Sequence, residues 1–166
     1  MNSKMMAAVW TVLRVWLGVQ WIQAGWHKVA DGFDASGFLY GAIEKASGDM
    51  PAVSGWYAGF LENAALPNVS IINVLVPWGE LLVGIALIAG VFTVPALIAG
   101  AFMNLNFLWA GTVSTNPTLL LAAVVLLFAA KGAMYYGGDR FLLPVLAKKM
   151  NEWKNNHPRK HIPKSA

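Results

Sequence analysis

Polar side chains interrupt three otherwise apolar stretches of this 166-residue chain. The first stretch, RVWLGVQWIQAGWHK, opens with Arg14 and closes with His27 and Lys28. Glu80 lies in a second stretch and Asn104 in a third. Two cations at different depths on one helix face would attract a small anion. The sequence therefore predicts a polar pocket with these candidates: Arg14, Gln23, His27, Lys28, Glu80 and Asn104.

Three tryptophans accompany these polar residues. Aromatic side chains offer a surface against which a flat, lipid-soluble ring would pack. The candidates for such contacts are Trp21, Trp26 and Trp78.

Arg14 is expected to pair with Glu80. Arg14 follows Lys4 by ten residues, or roughly 15 Å of helix, and Glu80 is equally deep from the opposite side. An unpaired arginine at mid-membrane costs at least ~2.5–3.5 kcal/mol. Two interpretations of the pair stay open, an internal packing staple and part of a site. His27 and Lys28 likewise have two, an interfacial anchor and a site.

The composition indicates a membrane protein. Hydrophobic residues make up 57% of the chain and charged residues 12%, with a mean hydropathy of +0.54. Soluble domains carry about 25% charged residues. The absence of cysteine excludes disulfides, a CxxC redox pair, thiolate zinc sites and iron–sulfur ligation. Redox chemistry would therefore have to come from a substrate or an external cofactor.

Four apolar segments are each close to the ~20 residues that cross a bilayer as a helix. They are residues 5–29, 69–91, 94–111 and 118–136. We expect an all-α fold, an integral membrane four-helix bundle. Gly18 and Gly25 share a face with Arg14 and would allow close helix packing. Residues 1–145 would form this domain, and residues 146–166 a basic cytoplasmic tail.

Charge asymmetry predicts the orientation. From residue 131 onward, eight basic residues face two acidic ones, whereas residues 31–62 hold five acidic residues and one basic one. Basic residues mark the cytoplasmic side, so both termini are expected to be cytoplasmic in a prokaryotic cell membrane. The 31–68 loop then lies outside, either as short interfacial helices or as a wetted loop with aromatic anchors.

The basic tail is expected to contact membrane lipid, and nucleic acid is not an expected partner. His157 and His161 have a metal-ligand spacing on a helix, but Pro158 disfavours a helix there. No metal site is expected.

Several motifs resemble those of the DoxX family. LRVWLGVQWIQAGWHKV resembles its opening helix, and PWGELLVGIALIAGVFT resembles its second helix. MNLNFLWAGTVSTNP and GAMYYGGDRFLLP resemble the narrower DoxD-like branch. The similarity covers most of residues 5–145 and is weakest through the 31–68 loop.

The resemblance implies a membrane subunit similar to that of thiosulfate:quinone oxidoreductase, which joins two thiosulfates into tetrathionate and reduces quinone. It places Arg14, Lys28, Glu80 and Asn104 at recurring polar positions. For such a reaction we expect Arg14, Gln23, Lys28 and Asn104 to bind the anion, and His27, Lys28 and Glu80 to be catalytic. Trp21, Trp26 and Trp78 would contact the quinone.

Other functions and assemblies stay open at this point. The main alternative is a non-catalytic membrane partner of a redox or detoxification enzyme. A second, smaller redox subunit accompanies DoxD in the enzyme that this chain resembles, and no such segment is visible in the sequence. A homo-oligomer is also compatible with the sequence. An oxidoreductase is expected to have a polar pocket open to lipid near Lys28 and Glu80.

Overall fold

All regular elements within residues 3–156, the part of the chain that the computed structural model describes, are helices. Their bounds are α1 Ser3–Ala30, α2 Ser36–Glu44, α3 Gly55–Phe60, α4 Val69–Ala89, α5 Thr93–Trp109, α6 Asn116–Phe128, α7 Ala130–Ala133 and α8 Asp139–Asn156. A π-helical turn over Leu61–Ala65 and a 3₁₀ turn over Leu66–Asn68 join α3 to α4. The prediction of an all-α fold is confirmed.

Within residues 3–156, two helices are long and apolar enough to cross a membrane. They are Lys4–Ala30 and the continuous helical segment Gly55–Ala89, which has 35 residues. The apolar helices α5 and α6 are shorter, with 17 and 13 residues. The fourth predicted segment, 118–136, is divided at Ala129 into α6 and α7.

The 31–68 segment contains helices rather than an irregular loop. α2 and α3 pack around Val53 and Ala110 in a small apolar core of their own. The second of these helices is not separate, because α3 runs through the π and 3₁₀ turns directly into α4. We call this side of the molecule the loop end and the opposite side, where α7 and α8 lie, the terminal end.

Glycines bring α1 and α4 into backbone contact. A Cβ atom at Gly84 would lie 2.8 Å from the carbonyl oxygen of Gly18, and one at Gly25 would lie 2.9 Å from that of Pro77. Small residues permit such close packing between membrane helices. The predicted role of Gly18 and Gly25 is confirmed, and these contacts fix the register of the antiparallel pair.

α1 extends well beyond α4 at the terminal end. Arg14 is level with Gly90, where α4 has ended, since a Cβ atom at Gly90 would collide with the Arg14 guanidinium. The remaining eleven residues of α1, from Ser3 to Leu13, rise about 16 Å. α7 packs against this overhang, with Gly132 close to Trp10.

Candidate functional site

Lys28 and Glu80 form an ion pair between α1 and α4 near the loop end. The Lys28 Nζ atom donates to both Oε1 and Oε2 of Glu80 at 2.7 Å. The Glu80 side chain is 1% exposed, whereas that of Lys28 is 26% exposed. The Lys28 ammonium also lies 5.7 Å from the ring centroid of Phe33 and 6.0 Å from that of Phe107. A buried carboxylate thus faces a cation that retains some access to the surface.

The predicted pair between Arg14 and Glu80 is therefore wrong. Counting residues from the ends of the predicted segments placed Arg14 and Glu80 at the same depth in the membrane. In the observed packing of α1 against α4, however, Gly90 lies opposite Arg14. Helical side chains lean toward the N-terminus of their own helix. In an antiparallel pair this brings the Lys28 side chain back toward the level of Glu80, which is about three turns from the level of Arg14.

Arg14 instead ties the helices together at the terminal end. Its side chain is buried, and Nη2 donates to the carbonyl oxygen of Tyr136 at 2.9 Å. Cβ atoms at Gly90 and Gly137 would overlap the guanidinium, and the carboxylate of Asp139 supplies a favourable opposite charge. Arg14 thus contacts the turns that follow α4 and α7. This geometry favours the interpretation of Arg14 as an internal staple.

Asn104 and Trp21 place uncommitted polar atoms in the core. Both side chains are buried, and Nδ2 and Oδ1 of Asn104 and Nε1 of Trp21 lack a hydrogen-bond partner. A Cβ atom at Gly100 would lie 3.1 Å from the Trp21 indole nitrogen. Asn104 is one turn further along α5 and leans toward Gly100. A buried polar group without a partner costs about 1–3 kcal/mol, and the Nε and Nη1 atoms of Arg14 and the Thr93 hydroxyl are buried without a partner as well.

The DoxX family model matches residues 9–113, which is more than half of the 166-residue chain. The chain belongs to the DoxX family. Searches of curated proteins and of solved structures found no match. The family and the two long apolar helices indicate a membrane protein.

The matched region of this DoxX protein includes the Lys28–Glu80 pair, Trp21 and Asn104. It ends before Tyr136 and Asp139, the terminal-end groups around Arg14. The ion pair and the uncommitted polar atoms thus belong to the family domain, whereas the surroundings of Arg14 are completed by the segment beyond it.

Four of the candidate site residues lie on the surface of the DoxX protein. They are Gln23, Trp26, His27 and Trp78. The His27 side chain is 78% exposed, and its Nδ1 atom lies 3.7 Å from the Asp31 carboxylate. Because Gly25 faces Pro77, the tryptophans that follow each of these residues lie at the same level of the α1–α4 pair. The structure thus brings Lys28 together with Glu80, and Trp21 together with Gly100. The side chains of Gln23, Trp26, His27 and Trp78 lie outside the core.

Asn73 has a role that the sequence pattern did not reveal. Its Oδ1 atom accepts the backbone N–H of Ala35 at 2.8 Å, and its amide donates to Asp34 at 3.3 Å. The backbone N–H of Ser36, its hydroxyl and this amide all donate to Asp34, which lowers the pKa of that carboxyl. The start of α2 is thereby attached to α4 next to Phe33 and Lys28. The only sequence signal was that Asn73 shares a helix face with Glu80.

Metal ligands do not cluster in the described part of the DoxX protein, since residues 3–156 contain no group of three or more His, Asp or Glu side chains in suitable positions. His157 and His161 lie outside the described residues.

Proposed function

We propose that this DoxX protein is a quinone-linked membrane oxidoreductase of the DoxD-like branch that oxidises a small sulfur anion such as thiosulfate. The observation that carries this function is the Lys28–Glu80 ion pair, a buried carboxylate and a partly exposed ammonium within an apolar bundle. Ionisable groups inside membrane segments are costly and are retained mainly at functional positions.

The reaction needs a cation at the substrate and a proton source at the quinone. Two thiosulfate dianions form one sulfur–sulfur bond and release two electrons, and the quinone takes up these electrons and two protons to become quinol. The Lys28 ammonium would donate hydrogen bonds to the anion in exchange for one carboxylate oxygen of Glu80. Glu80 would then hold or release a proton, and the exposed His27 would exchange it with water.

The uncommitted polar atoms and the surface tryptophans fit the same function. Asn104 and Trp21 would donate hydrogen bonds to an oxygen of the substrate or the quinone. Trp26 and Trp78, exposed at the same level, would guide a quinone ring arriving from lipid. Gln23 and Arg14 have the weakest support, because Gln23 is exposed and Arg14 is bound at the terminal end.

The proposed membrane arrangement has four crossings, by α1, α4, α5 and α6. The 13 residues of α6 rise about 20 Å, and α7 continues toward the terminal end. Both termini would then be cytoplasmic, with the loop end on the outside.

The test is quinone reduction by the purified protein. Wild type with thiosulfate and a soluble quinone should bleach the quinone absorbance. Lys28→Gln should lower kcat/KM for thiosulfate by about tenfold or more, because a hydrogen bond to a charged group contributes about 1.5–3 kcal/mol. Lys148→Gln, which removes a cation from α8, should retain wild-type activity.

A second function, the non-catalytic partner of a redox or detoxification enzyme, is favoured by a different observation. Both carboxylate oxygens of Glu80 already accept from the Lys28 ammonium, so two of its three N–H donors are used within the protein. No quinone reduction, with Lys28→Gln equal to wild type, would exclude the enzymatic proposal for thiosulfate. Co-purification with a second redox subunit would then support the partner role.

A further inference from the structure

A cleft at the terminal end lies between α7 and the start of α8. Its volume is about 250 Å³, and it is lined by Lys131, Met134, Tyr135, Asp139, Arg140 and Leu143. This cleft is far from Lys28, because α7 packs on the opposite end of α1. The proposed redox function uses none of these residues.

Two cations give this cleft, whose accessible lining is mainly apolar, a positive character. Lys131 and Arg140 are both exposed, and the Arg140 guanidinium lies 5.3 Å from the ring centroid of Tyr135. Stacking on an aromatic ring orients an arginine while leaving its N–H donors accessible.

The acidic residue in the lining does not cancel this character. The Asp139 side chain is buried, and its two oxygens accept the backbone N–H groups of Phe92 at 2.7 Å and Thr93 at 2.9 Å. These bonds direct the carboxylate toward the first turn of α5. An anion entering the cleft would therefore meet the two exposed cations.

Apolar side chains continue from the cleft along α8. Met134 and Leu143 line it, and further exposed apolar residues follow on the helix: Phe141, Val145, Leu146, Met150 and Trp153. Lys148 and Lys149 are exposed on the same helix. Basic helices with large exposed apolar side chains are typical of membrane interfaces.

We propose that this cleft binds the headgroup phosphate of one anionic phospholipid, with the acyl chains along α8. Lys131 and Arg140 would donate to the phosphate, and Met134 and Leu143 would contact the start of the acyl chains. Pockets for drug-sized ligands measure about 300–1,000 Å³. The cleft is somewhat smaller, so it would hold the headgroup alone, and the acyl chains would remain in the bilayer. The bound lipid would fix α8 to the membrane surface.

Native mass spectrometry of the detergent-solubilised full chain tests this site. Wild type should retain one phosphatidylglycerol molecule per chain in preference to phosphatidylcholine. The double variant Lys131→Gln/Arg140→Gln should weaken phosphatidylglycerol binding by about tenfold or more, since both charge-assisted donors are removed. The matched variant Lys148→Gln/Lys149→Gln removes the same charge from α8 outside the cleft and should stay within about twofold of wild type.

Three outcomes would overturn the proposal. They are equal weakening in both double variants, equal binding of phosphatidylcholine, and displacement of the lipid by millimolar inorganic phosphate. The last outcome would assign the cleft to a free phosphate. The single variant Arg140→Lys, which retains the positive charge, should keep most of the wild-type phosphatidylglycerol binding. An unchanged circular-dichroism spectrum would show that the cleft variants fold.

Discussion

At the scale of single residues, the Lys28–Glu80 pair is asymmetric. Glu80 is 1% exposed and, among the described residues, is paired with Lys28, whereas the lysine side chain is 26% exposed and lies near two aromatic rings. A long cationic side chain can move its charged end toward an interface, but a short buried carboxylate cannot. The two members of the pair should therefore differ in what their removal costs.

Lys28→Met should destabilise the protein more than Glu80→Met. Loss of the lysine leaves a buried carboxylate without compensation, which costs about 3 kcal/mol. Loss of the glutamate leaves an ammonium that can reach the surface, at a cost of about 1 kcal/mol. Thermal unfolding in detergent would measure both variants together with Lys28→Met/Glu80→Met, which should recover most of the stability lost in Lys28→Met. A larger loss in Glu80→Met would contradict this account.

Residue types predicted some of the buried polar side chains, but not Thr93 or Asp139, and not which groups pair. Arg14, Glu80 and Asn104 are all buried, as expected of polar groups that face the interior of a bundle. The partner of Arg14 is a backbone carbonyl 122 residues away, at Tyr136. Every residue carries such a carbonyl, so the side-chain pattern holds no signal for this bond.

At the scale of elements, hydrophobic segments predicted the long helices within a few residues, because the length needed to span a bilayer limits where they begin and end. The sequence did not predict the axial register of α1 against α4, that is, which residues of the two helices lie at the same level. That register depends on backbone contacts between Gly18 and Gly84 and between Gly25 and Pro77. The continuity of α3 with α4 was also missed, because the predicted apolar segment began at residue 69, whereas helical turns over Leu61–Ala65 and Leu66–Asn68 join the two helices.

Gly84→Ala should weaken the α1–α4 contact. The added Cβ would lie 2.8 Å from the Gly18 carbonyl oxygen, which as backbone cannot move aside. Overpacking of this kind costs about 1–3 kcal/mol, so the thermal midpoint in detergent should fall.

Gly79→Ala on the same helix is the matched control. Its Cβ would meet only the Met103 sulfur atom at an ordinary 3.5 Å. Since alanine favours a helix over glycine by about 1 kcal/mol, this variant should equal or exceed wild-type stability. Equal losses in the two variants would mean that the glycine contacts do not set the packing.

At the scale of the whole molecule, the two ends differ in chemistry. The loop end carries the ion pair within the family domain, below a segment that Asn73 attaches to α4. The terminal end carries Arg14, the positively charged cleft and α8, which runs through the predicted domain boundary at residue 145. Because the two ends differ, the orientation in the membrane determines from which side a water-soluble anion would reach the ion pair. It also determines which leaflet would supply an anionic headgroup to the cleft.

Single introduced cysteines should place the loop end outside and the terminal end in the cytoplasm. The chain has no cysteine of its own, so each label would report one position. An impermeant maleimide should label Asp49→Cys in intact cells, and Lys148→Cys only after permeabilisation, because both native residues are exposed at opposite ends. Leu82→Cys, at an exposed apolar position within α4, should stay unlabelled in both conditions since lipid excludes the reagent. Labelling of Lys148→Cys in intact cells would show the opposite orientation. The Lys28–Glu80 pair would then face cytoplasmic substrates.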